Sequence, residues 1–146
     1  MVMLTISPTE EYEKLVEMFI RHGLEFSMEE TLDTEIVKCW KAEDAEGRLV
    51  SGCVLALRGG EYIIDGISTE PDRRKEHIAG RLLTLALEEA RSRGAGKVLL
   101  VARAPGFFRR HGFLTIAPES TGDIFDCVSC PQFRQTCHPE VMEILL

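Results

Sequence analysis

The chain has 146 residues, of which 45% are hydrophobic and 28% charged, a composition typical of one globular domain that excludes a disordered or fibrous chain. Its 17 Lys and Arg against 24 Asp and Glu give a net charge of −7, which argues against nucleic acid or an anionic membrane as the main partner. Because no apolar run reaches the ~18 residues of a membrane span and the first residues lack the features of a secretory signal, we expect a cytoplasmic protein.

The first half of the chain predicts one helix and then a group of antiparallel strands. A capping residue at Ser7 or Thr9 and apolar residues at helical spacing indicate a helix that begins near Thr9 and breaks at Gly23. An acidic loop or short helix is expected over 24–34. Short turns that contain Gly then separate three strand patterns, as in antiparallel hairpins. These strands are predicted over 35–41, 49–57 and 61–68.

The second half predicts helices alternating with strands. An apolar stripe from Ile78 to Leu87, followed by basic residues and Gly94, indicates a helix of about four turns. The apolar run 97–102 indicates a buried strand. A short helix over 104–111 and strands over 113–117 and 141–146 complete the order. We therefore predict an α/β fold, in which helices flank a mixed, predominantly antiparallel sheet.

A basic segment lies in the middle of this acidic chain. Residues 73–110 hold 10 basic and 3 acidic side chains. The segment opens where a strand ends, a turn with Pro71 follows and a helix begins, and a helix N-terminus presents free N–H groups to phosphate. We interpret residues 67–83 as a cradle for a polyanion; the alternative is an ordinary strand–turn–helix with a basic cap. Basic residues, and small residues that let a ligand approach the backbone, surround it: Arg73, Arg74, Lys75, Ala79 and Gly80.

Two motifs in this segment resemble those of the GNAT family of N-acetyltransferases. Pro71 and the six residues that begin at Arg74 are similar to the family's Pro followed by Arg/Gln-x-x-Gly-x-Gly/Ala. The second motif, residues 107–113, is similar to the family's aromatic pair a few residues before Gly-Phe. The order of the motifs and of the elements over residues 4–118 is also that of the family. The first motif reads Arg74, Lys75, Glu76, His77, Ile78, Ala79.

The resemblance implies a GNAT-like acyl-CoA N-acyltransferase fold in one domain over 1–146, with acetyl-CoA as cosubstrate. It implies that the main chain of Ile67 and Thr69 pairs with the pantetheine arm, and that Phe107 and Phe108 pack beside the thioester. Two residues depart from the family, since His77 replaces the usual Gly and Phe108 replaces a Tyr that is often assigned as the acid for the leaving thiolate. The pyrophosphate would lie on the backbone of Arg74, Lys75, Glu76, His77, Ile78, Ala79 and Gly80.

Direct transfer needs a base that deprotonates the acceptor amine, and a carboxylate is the usual choice. Asp65 lies nearest the expected thioester end, so we predict Asp65 as the first candidate base and Glu61 as the second. The alternative for each is a solvated or ion-paired strand acid, and a β-bulge would exchange the faces of the strand. Without a bulge, strand alternation places one set of residues on a common face: Glu61, Ile63, Asp65, Ile67 and Thr69.

Four other side chains are predicted to be structural. His111 precedes a helix-ending Gly, so a C-terminal cap is favoured over a catalytic base. Trp40 is predicted to pack against the sheet rather than to form a substrate platform. Cys39 and Cys53, on neighbouring strands, are predicted to be core residues.

The Cys-rich extension at about 120–146 predicts a metal site. Its C-x2-C-x6-C-H spacing is typical of tetrahedral zinc ligands. Adjacent residues rarely bind one ion together, so His111, Cys39, Cys53 or a group from another chain are alternatives for the fourth ligand. Packed thiols, an iron–sulfur cluster and a disulfide are the other interpretations, the last disfavoured in the cytosol. The ligands predicted are Cys127, Cys130, Cys137 and His138.

The sequence as a whole predicts an enzyme that transfers an acetyl group from acetyl-CoA by direct attack of a primary amine. The acceptor is expected to be a small molecule or amino acid, and the acidic N-terminal half favours a cationic one. The oligomeric state considered for the chain is a homodimer. The departures at His77 and Phe108 motivate one alternative, a catalytically impaired CoA-binding regulatory module. The Cys-rich extension motivates another, a metal-stapled interaction domain.

Overall fold

The computed structural model describes residues 4–22, 34–102, 104–117 and 140–146. None of the helices in these ranges is long and apolar enough to cross a membrane. The elements in chain order are β1 (Leu4–Thr9), α1 (Tyr12–Arg21), β2 (Thr34–Asp44), β3 (Leu49–Arg58), β4 (Glu61–Thr69), a 3₁₀ helix (Pro71–Glu76), α2 (Ile78–Ser92), β5 (Lys97–Ala102), α3 (Pro105–Arg110), β6 (Leu114–Thr115) and β7 (Glu140–Leu145).

The strands form one seven-stranded sheet in the order β1-β2-β3-β4-β5-β7-β6. Strands β1 to β4 pair antiparallel in succession, and β7 pairs antiparallel with β5 and β6. Strands β4 and β5 are parallel and share one ladder position, Ile63 opposite Leu99. Over the described residues the sheet is therefore split beyond Ile63, where the edge of β4 that leads to Thr69 does not pair with β5.

The predicted α/β fold with a mainly antiparallel sheet is confirmed. Strand β5 has the predicted bounds, and the other predicted elements within the described ranges are present with shifts of a few residues at their ends. The acidic segment predicted over 24–34 lies outside the described residues, except for Thr34, which opens β2.

The sequence does not predict β1, and the helix start near Thr9 is wrong. Residues 4–9 are extended and pair with β2 at the edge of the sheet, and α1 begins at Tyr12. Pro8 lies opposite Trp40 in this edge strand. Proline has no N–H to donate to a ladder, and an edge strand is where a sheet tolerates it. The Thr9 hydroxyl does accept a hydrogen bond from the Glu11 N–H, at 3.1 Å, so its capping character is used just before the helix.

The two long helices cover opposite faces of the sheet. The apolar residues of α1 pack against Cys39 and Val54, whereas those of α2 pack in a cluster with Trp40 and Leu55. Because successive strand residues point to opposite faces, these neighbouring pairs place the helices on opposite sides. Burial of each large apolar side chain contributes about 1.5–3 kcal/mol. The side chains buried by α1 are Leu15, Met18 and Phe19.

Trp40 is 4% exposed, and Cys39 and Cys53 are 3% and 0% exposed, so the predicted core role of all three residues is confirmed. Burial, and then the charge of Asp65, raises the pKa of the Cys39 thiol to about 11. Burial also raises the pKa of the Cys53 thiol. Both cysteines are therefore protonated near neutral pH, as packed apolar side chains rather than thiolates.

Gly52 of β3 lets α1 approach the sheet. A Cβ at this position would lie 2.6 Å from Cδ2 of Leu15 and 3.3 Å from Cε of Met18. Both side chains are fully buried, so they have no free space into which to move. The glycine is therefore required by the distance between α1 and β3.

We expect Gly52→Ala to lower the free energy of unfolding by about 1–3 kcal/mol, because the added methyl group overpacks the interface of α1. Gly96→Ala is the matched control, since a Cβ there meets no atom within 4 Å. Its effect should stay within about 0.5 kcal/mol. Urea unfolding of both variants measures the difference. Equal stabilities would contradict the close approach of α1 to Gly52.

Candidate active site

The predicted cradle is formed by the turn between β4 and α2. After Thr69 the chain passes through Glu70 and the 3₁₀ helix and reaches His77, which has φ 57° and ψ 29°. No other non-glycine residue among those described has a positive φ. Helix α2 then starts at Ile78, and its first N–H groups have no partner within the helix. The turn thus leaves a helix N-terminus at the end of a strand, as the sequence predicts.

The left-handed backbone at His77 explains why the corresponding motif has Gly. An L side chain in this conformation costs about 1–2 kcal/mol, although His is among the residues that tolerate it best. His77 therefore differs from the Gly of the motif in its exposed imidazole, whereas its backbone has the left-handed conformation that Gly readily adopts.

Two arginines of the cradle are engaged by nearby groups. The Nε–H of Arg74 donates to the carbonyl oxygen of Thr69 at 3.1 Å, so its guanidinium is held against the end of β4. Arg73 forms an ion pair with Glu76, with one N–O distance of 3.0 Å. Glu76 thus offsets part of the positive charge predicted here, and the backbone N–H groups of α2 carry more of the attraction for an anion.

Gly80 makes room for a side chain of the protein. A Cβ at Gly80 would lie 2.9 Å from Cε1 and 3.2 Å from Nε2 of His111. The imidazole of His111 therefore lies on this side of the first turn of α2, where the sequence predicts the approach of a ligand. His111 is also the C-cap of α3, and its N–H donates to the carbonyl oxygen of Phe108 at 2.9 Å, which confirms the predicted cap.

The aromatic pair of α3 divides between surface and core. Phe107 is half-buried and its ring lies 4.7 Å from that of His111. Phe108 is 7% exposed and packs edge-on against Phe113, with ring centroids 5.7 Å apart. Phe107 therefore contacts His111, the residue that faces Gly80 of α2, while Phe108 lies in the core.

Strand β4 contains a bulge at Asp65. Adjacent residues of β3 pair with Gly66 and with Ile64, so Asp65 is an extra residue in β4. The bulge exchanges the faces of the strand, because Ile63 packs in a cluster separate from that of α2 whereas Ile67 packs against the α2 cluster. The prediction of one common face is therefore wrong for the set Glu61, Ile63, Asp65, Ile67 and Thr69.

Asp65 forms a buried ion pair with Arg58. Nη2 of Arg58 donates to Oδ1 of Asp65 at 2.9 Å, and both side chains are less than a tenth exposed. Nε of Arg58 also donates to the Thr34 hydroxyl, at 2.7 Å. Asp65 is therefore an ion-paired strand acid, as in the alternative interpretation of the sequence. The pair with Arg58 holds its carboxylate at the bulge. Glu61 lies at the start of β4, about 20 Å from Ile67 at ~3.3 Å per residue, which leaves Asp65 as the better placed acid.

The sequence interpretation missed a polar cluster around Glu70. Glu70 is 8% exposed, and its carboxylate lies 3.1 Å from Nη2 of Arg21, 3.3 Å from Nε2 of His22 and 3.9 Å from Nη2 of Arg48. Nδ1 of His22 is hydrogen-bonded to the Ser68 hydroxyl. Burial would raise the pKa of the Glu70 carboxyl, but hydrogen bonds from Arg21 and His22 outweigh it and hold the pKa below its ordinary value.

A separate cleft of about 410 Å³ lies between β1, β2 and α2. Trp40, Lys38 and Glu89 are among the residues that line it, and none of the predicted site residues does. Lys38 occupies part of its rim, because its ammonium pairs with Glu89 at 3.2 Å and lies 5.7 Å from the centroid of the Trp40 ring. The cleft is therefore distinct from the cradle.

The predicted metal ligands lie outside the described residues: Cys127, Cys130, Cys137 and His138. Within the described ranges, no group of three or more His, Cys, Asp and Glu side chains is placed to hold a metal ion. Cys39 and Cys53, two of the alternatives for a fourth ligand, are buried in the core.

The family model of the acetyltransferase (GNAT) domain matches residues 35–114, more than half of the chain. The match includes β2 to α3, and so includes the bulge, the cradle and the aromatic pair. No curated protein matches the chain.

Solved acetyltransferase structures share this fold. A GNAT-family acetyltransferase from Staphylococcus aureus Mu50 has a TM-score of 0.72 at 13% identity, over 99% of each chain. The PaiA N-acetyltransferase from Thermoplasma acidophilum, in complex with coenzyme A, has a TM-score of 0.57 at 15% identity, over 77% of this chain and 62% of its own. N-acetylglutamate synthase from Neisseria gonorrhoeae, complexed with coenzyme A and N-acetyl-glutamate, has a TM-score of 0.66 at 16% identity, over 100% of this chain and 35% of its own.

We expect His77→Gly to raise the free energy of unfolding by up to about 1 kcal/mol, because Gly adopts the left-handed conformation without a Cβ clash while its freer unfolded chain offsets part of the gain. His77→Val should lower it, since a β-branched residue is least tolerant of positive φ. Urea unfolding compares the two variants. If His77→Gly is the less stable one, the imidazole and not the backbone determines stability at this turn.

A double-mutant cycle tests the contact of Gly80 with His111. Gly80→Ala should lower stability by about 1–2 kcal/mol in the natural background, because the methyl group meets the imidazole. In a His111→Ala background the same change should raise stability by up to about 1 kcal/mol, since Ala is the better helix former. Thermal unfolding of the four proteins measures the sign. The same sign in both backgrounds would contradict the contact.

Proposed function

The chain belongs to the GNAT acetyltransferase family, and we propose that it transfers an acetyl group from acetyl-CoA to the primary amine of a small molecule or amino acid. The observation that carries this proposal is the left-handed turn at His77. It sets the N-terminus of α2 at the end of the β4 edge that, among the described residues, does not pair with β5 beyond Ile63. A polyanion with an amide-rich arm fits this pair of features. PaiA and N-acetylglutamate synthase, which share the fold, hold coenzyme A in their structures.

Two parts of acetyl-CoA, the pyrophosphate and the pantetheine arm, have candidate binding groups in the chain. The N–H groups of Ile78, Ala79 and Gly80, unpartnered within the helix, would bind the pyrophosphate. The main chain of Ile67 and Thr69 would pair with the amides of the pantetheine arm, as a peptide adds to a sheet edge. In the described part of the chain, this edge pairs with β5 at one ladder position, Ile63 opposite Leu99.

The transfer step exchanges one bond for another at the acetyl carbonyl. The amine nitrogen, after losing a proton to a base, attacks the carbonyl carbon and forms the N–C bond. The C–S bond then breaks, and the electron pair leaves with the CoA sulfur. A thiol has a pKa of about 8–9, so the thiolate is a good leaving group without a dedicated acid, and Phe108 supplies none. Asp65 is our first choice as base, acting on the ammonium directly or through water.

Acetyl-CoA binding and turnover are the first test of this function. Isothermal titration should detect binding of acetyl-CoA, and a panel of amines that includes polyamines, lysine and glutamate should reveal one that releases free CoA. With that amine, Asp65→Asn should lower kcat/KM by about 10²-fold or more, because loss of a general base typically costs this much. Glu61→Gln, on the same strand, is the control and should retain activity.

Each outcome distinguishes a class of function. Absence of acetyl-CoA binding would overturn the proposal and favour an interaction domain. Binding without turnover of any amine would favour a catalytically impaired CoA-binding module, consistent with the departures at His77 and Phe108. Unchanged acetyl-CoA affinity in Asp65→Asn would show that the loss of activity arises in the chemical step rather than from a disturbed Arg58 pair.

A further inference from the structure

The corner at which β4 leaves the sheet is held on its α2 side by two side chains, Ser51 and Arg74. The hydroxyl of Ser51, which is fully buried, donates to the carbonyl oxygen of Ser68 at 2.9 Å and lies 2.8 Å from the Thr69 hydroxyl. Nε of Arg74 donates to the carbonyl oxygen of Thr69 at 3.1 Å. These contacts fix Thr69 but leave the opposite face of the corner to other groups.

On the opposite face, one imidazole bridges the residues on either side of Thr69. Ser68 and Glu70 are two residues apart, so their side chains share a face. Nδ1 of His22 is hydrogen-bonded to the Ser68 hydroxyl, and Nε2 lies 3.3 Å from Oε2 of Glu70. We call this arrangement of His22, Ser68 and Glu70 the His22 bridge. The side chain of His22 is 5% exposed, so the bridge is buried.

The bridge joins α1 to the cradle. His22 is the C-cap of α1, and its own N–H donates to the carbonyl oxygens of Met18 and Phe19 at 3.1 Å, so its backbone is fixed by the helix. The backbone of Glu70 is fixed as well, since its N–H donates to the carbonyl oxygen of Val50 at 2.8 Å and its carbonyl oxygen accepts from Arg73 at 2.9 Å. The imidazole therefore connects two rigid parts of the molecule.

Positive side chains surround the Glu70 end of the bridge. Nη2 of Arg21 from α1 lies 3.1 Å from the Glu70 carboxylate, and Nη2 of Arg48 from the turn before β3 lies 3.9 Å from it; Arg48 also pairs with Asp72 at 3.1 Å. Burial would raise the pKa of the Glu70 carboxyl, but Arg21 and His22 hold it below its ordinary value. Nε2 of His22 therefore faces an ionised carboxylate, while Nδ1 is hydrogen-bonded to the Ser68 hydroxyl.

We propose that His22 is a positioning residue for acetyl-CoA: through Ser68 and Glu70 it holds the corner of β4 so that the strand edge and the N-terminus of α2 face the cosubstrate in one fixed arrangement. The inference rests on the proposed function. Ser68 lies between Ile67 and Thr69, whose main chain would pair with the pantetheine arm, and Glu70 leads directly into the cradle. A corner that is ordered before binding loses less conformational entropy when the cosubstrate binds.

This role predicts a loss of affinity and not of chemistry. In His22→Leu, which keeps side-chain bulk without the hydrogen bond to Ser68 or the polar contact with Glu70, the Kd and KM for acetyl-CoA should rise about 10- to 100-fold. The kcat at saturating acetyl-CoA should stay within about twofold, because His22 does not touch the reacting atoms. His22→Asn, whose amide can reach Ser68, and His22→Gln, whose amide can reach Glu70, should each restore part of the affinity.

A second variant and a stability control separate positioning from general destabilisation. Ser68→Ala removes the same hydrogen bond from the strand side, so its effect on the Kd should not add to that of His22→Leu. Ala90→Gly, in the buried last turn of α2, should lower stability without changing the Kd for acetyl-CoA. Isothermal titration and urea unfolding of all variants give both quantities.

The outcomes distinguish this inference from the function on which it rests. If the natural protein binds acetyl-CoA and both His22→Leu and Ser68→Ala bind it equally well, the positioning role is overturned and the proposed function stands. If Ala90→Gly weakens binding as much as His22→Leu, the effect follows stability, and the role is again overturned. If the natural protein does not bind acetyl-CoA, the proposed function fails and this inference fails with it.

Discussion

The candidate site depends on the point at which β4 and β5 stop pairing. One ladder position, Ile63 opposite Leu99, joins these parallel strands in the described part of the chain. Beyond it, the main-chain groups of β4 toward β5 form no ladder, and unpaired backbone groups at a sheet edge are ready to bind another extended chain. The turn at His77 then directs the N-terminus of α2 toward the same end of β4. The strand edge proposed for the amides of the pantetheine arm and the helix terminus proposed for the phosphates thus meet where the sheet is broken.

The bulge at Asp65 determines which side chains accompany that edge. Without the extra residue, Asp65, Ile67 and Thr69 would share a face. With it, Ile67 packs toward α2, and Asp65 pairs with Arg58. A bulge bends and twists its strand locally, so the same residue that carries the candidate base also changes the direction of β4 before the corner. The position of the acid and the path of the strand are therefore set together.

Much of the fold was predictable because its signals are local. The uninterrupted apolar run of β5 and the helically spaced apolar stripe of α2 are both clear patterns, and the motif around His77 lies within one turn. Strand β1 was not predictable because its short, Pro-containing segment has no period of its own and is extended only by pairing with β2. The bulge leaves no mark in the residue pattern. Glu70 directly before Pro71 hinted at a special corner, but its partner His22 is 48 positions away, and local patterns carry no information about such contacts.

The two departures from the family motif, His77 and Phe108, differ in their consequences for binding and catalysis. The His77 backbone already has the conformation for which Gly is preferred, so the turn survives the substitution and the imidazole remains exposed beside the cradle. Phe108 removes a hydroxyl, and its ring is buried against Phe113, so no proton donor stands in its place at that position. Expulsion of a thiolate needs little help near neutral pH, whereas an ammonium must lose a proton before it can attack. In the proposed reaction the demand for catalysis therefore falls on deprotonation of the amine, the step for which Asp65 at the bulge of β4 is the proposed base.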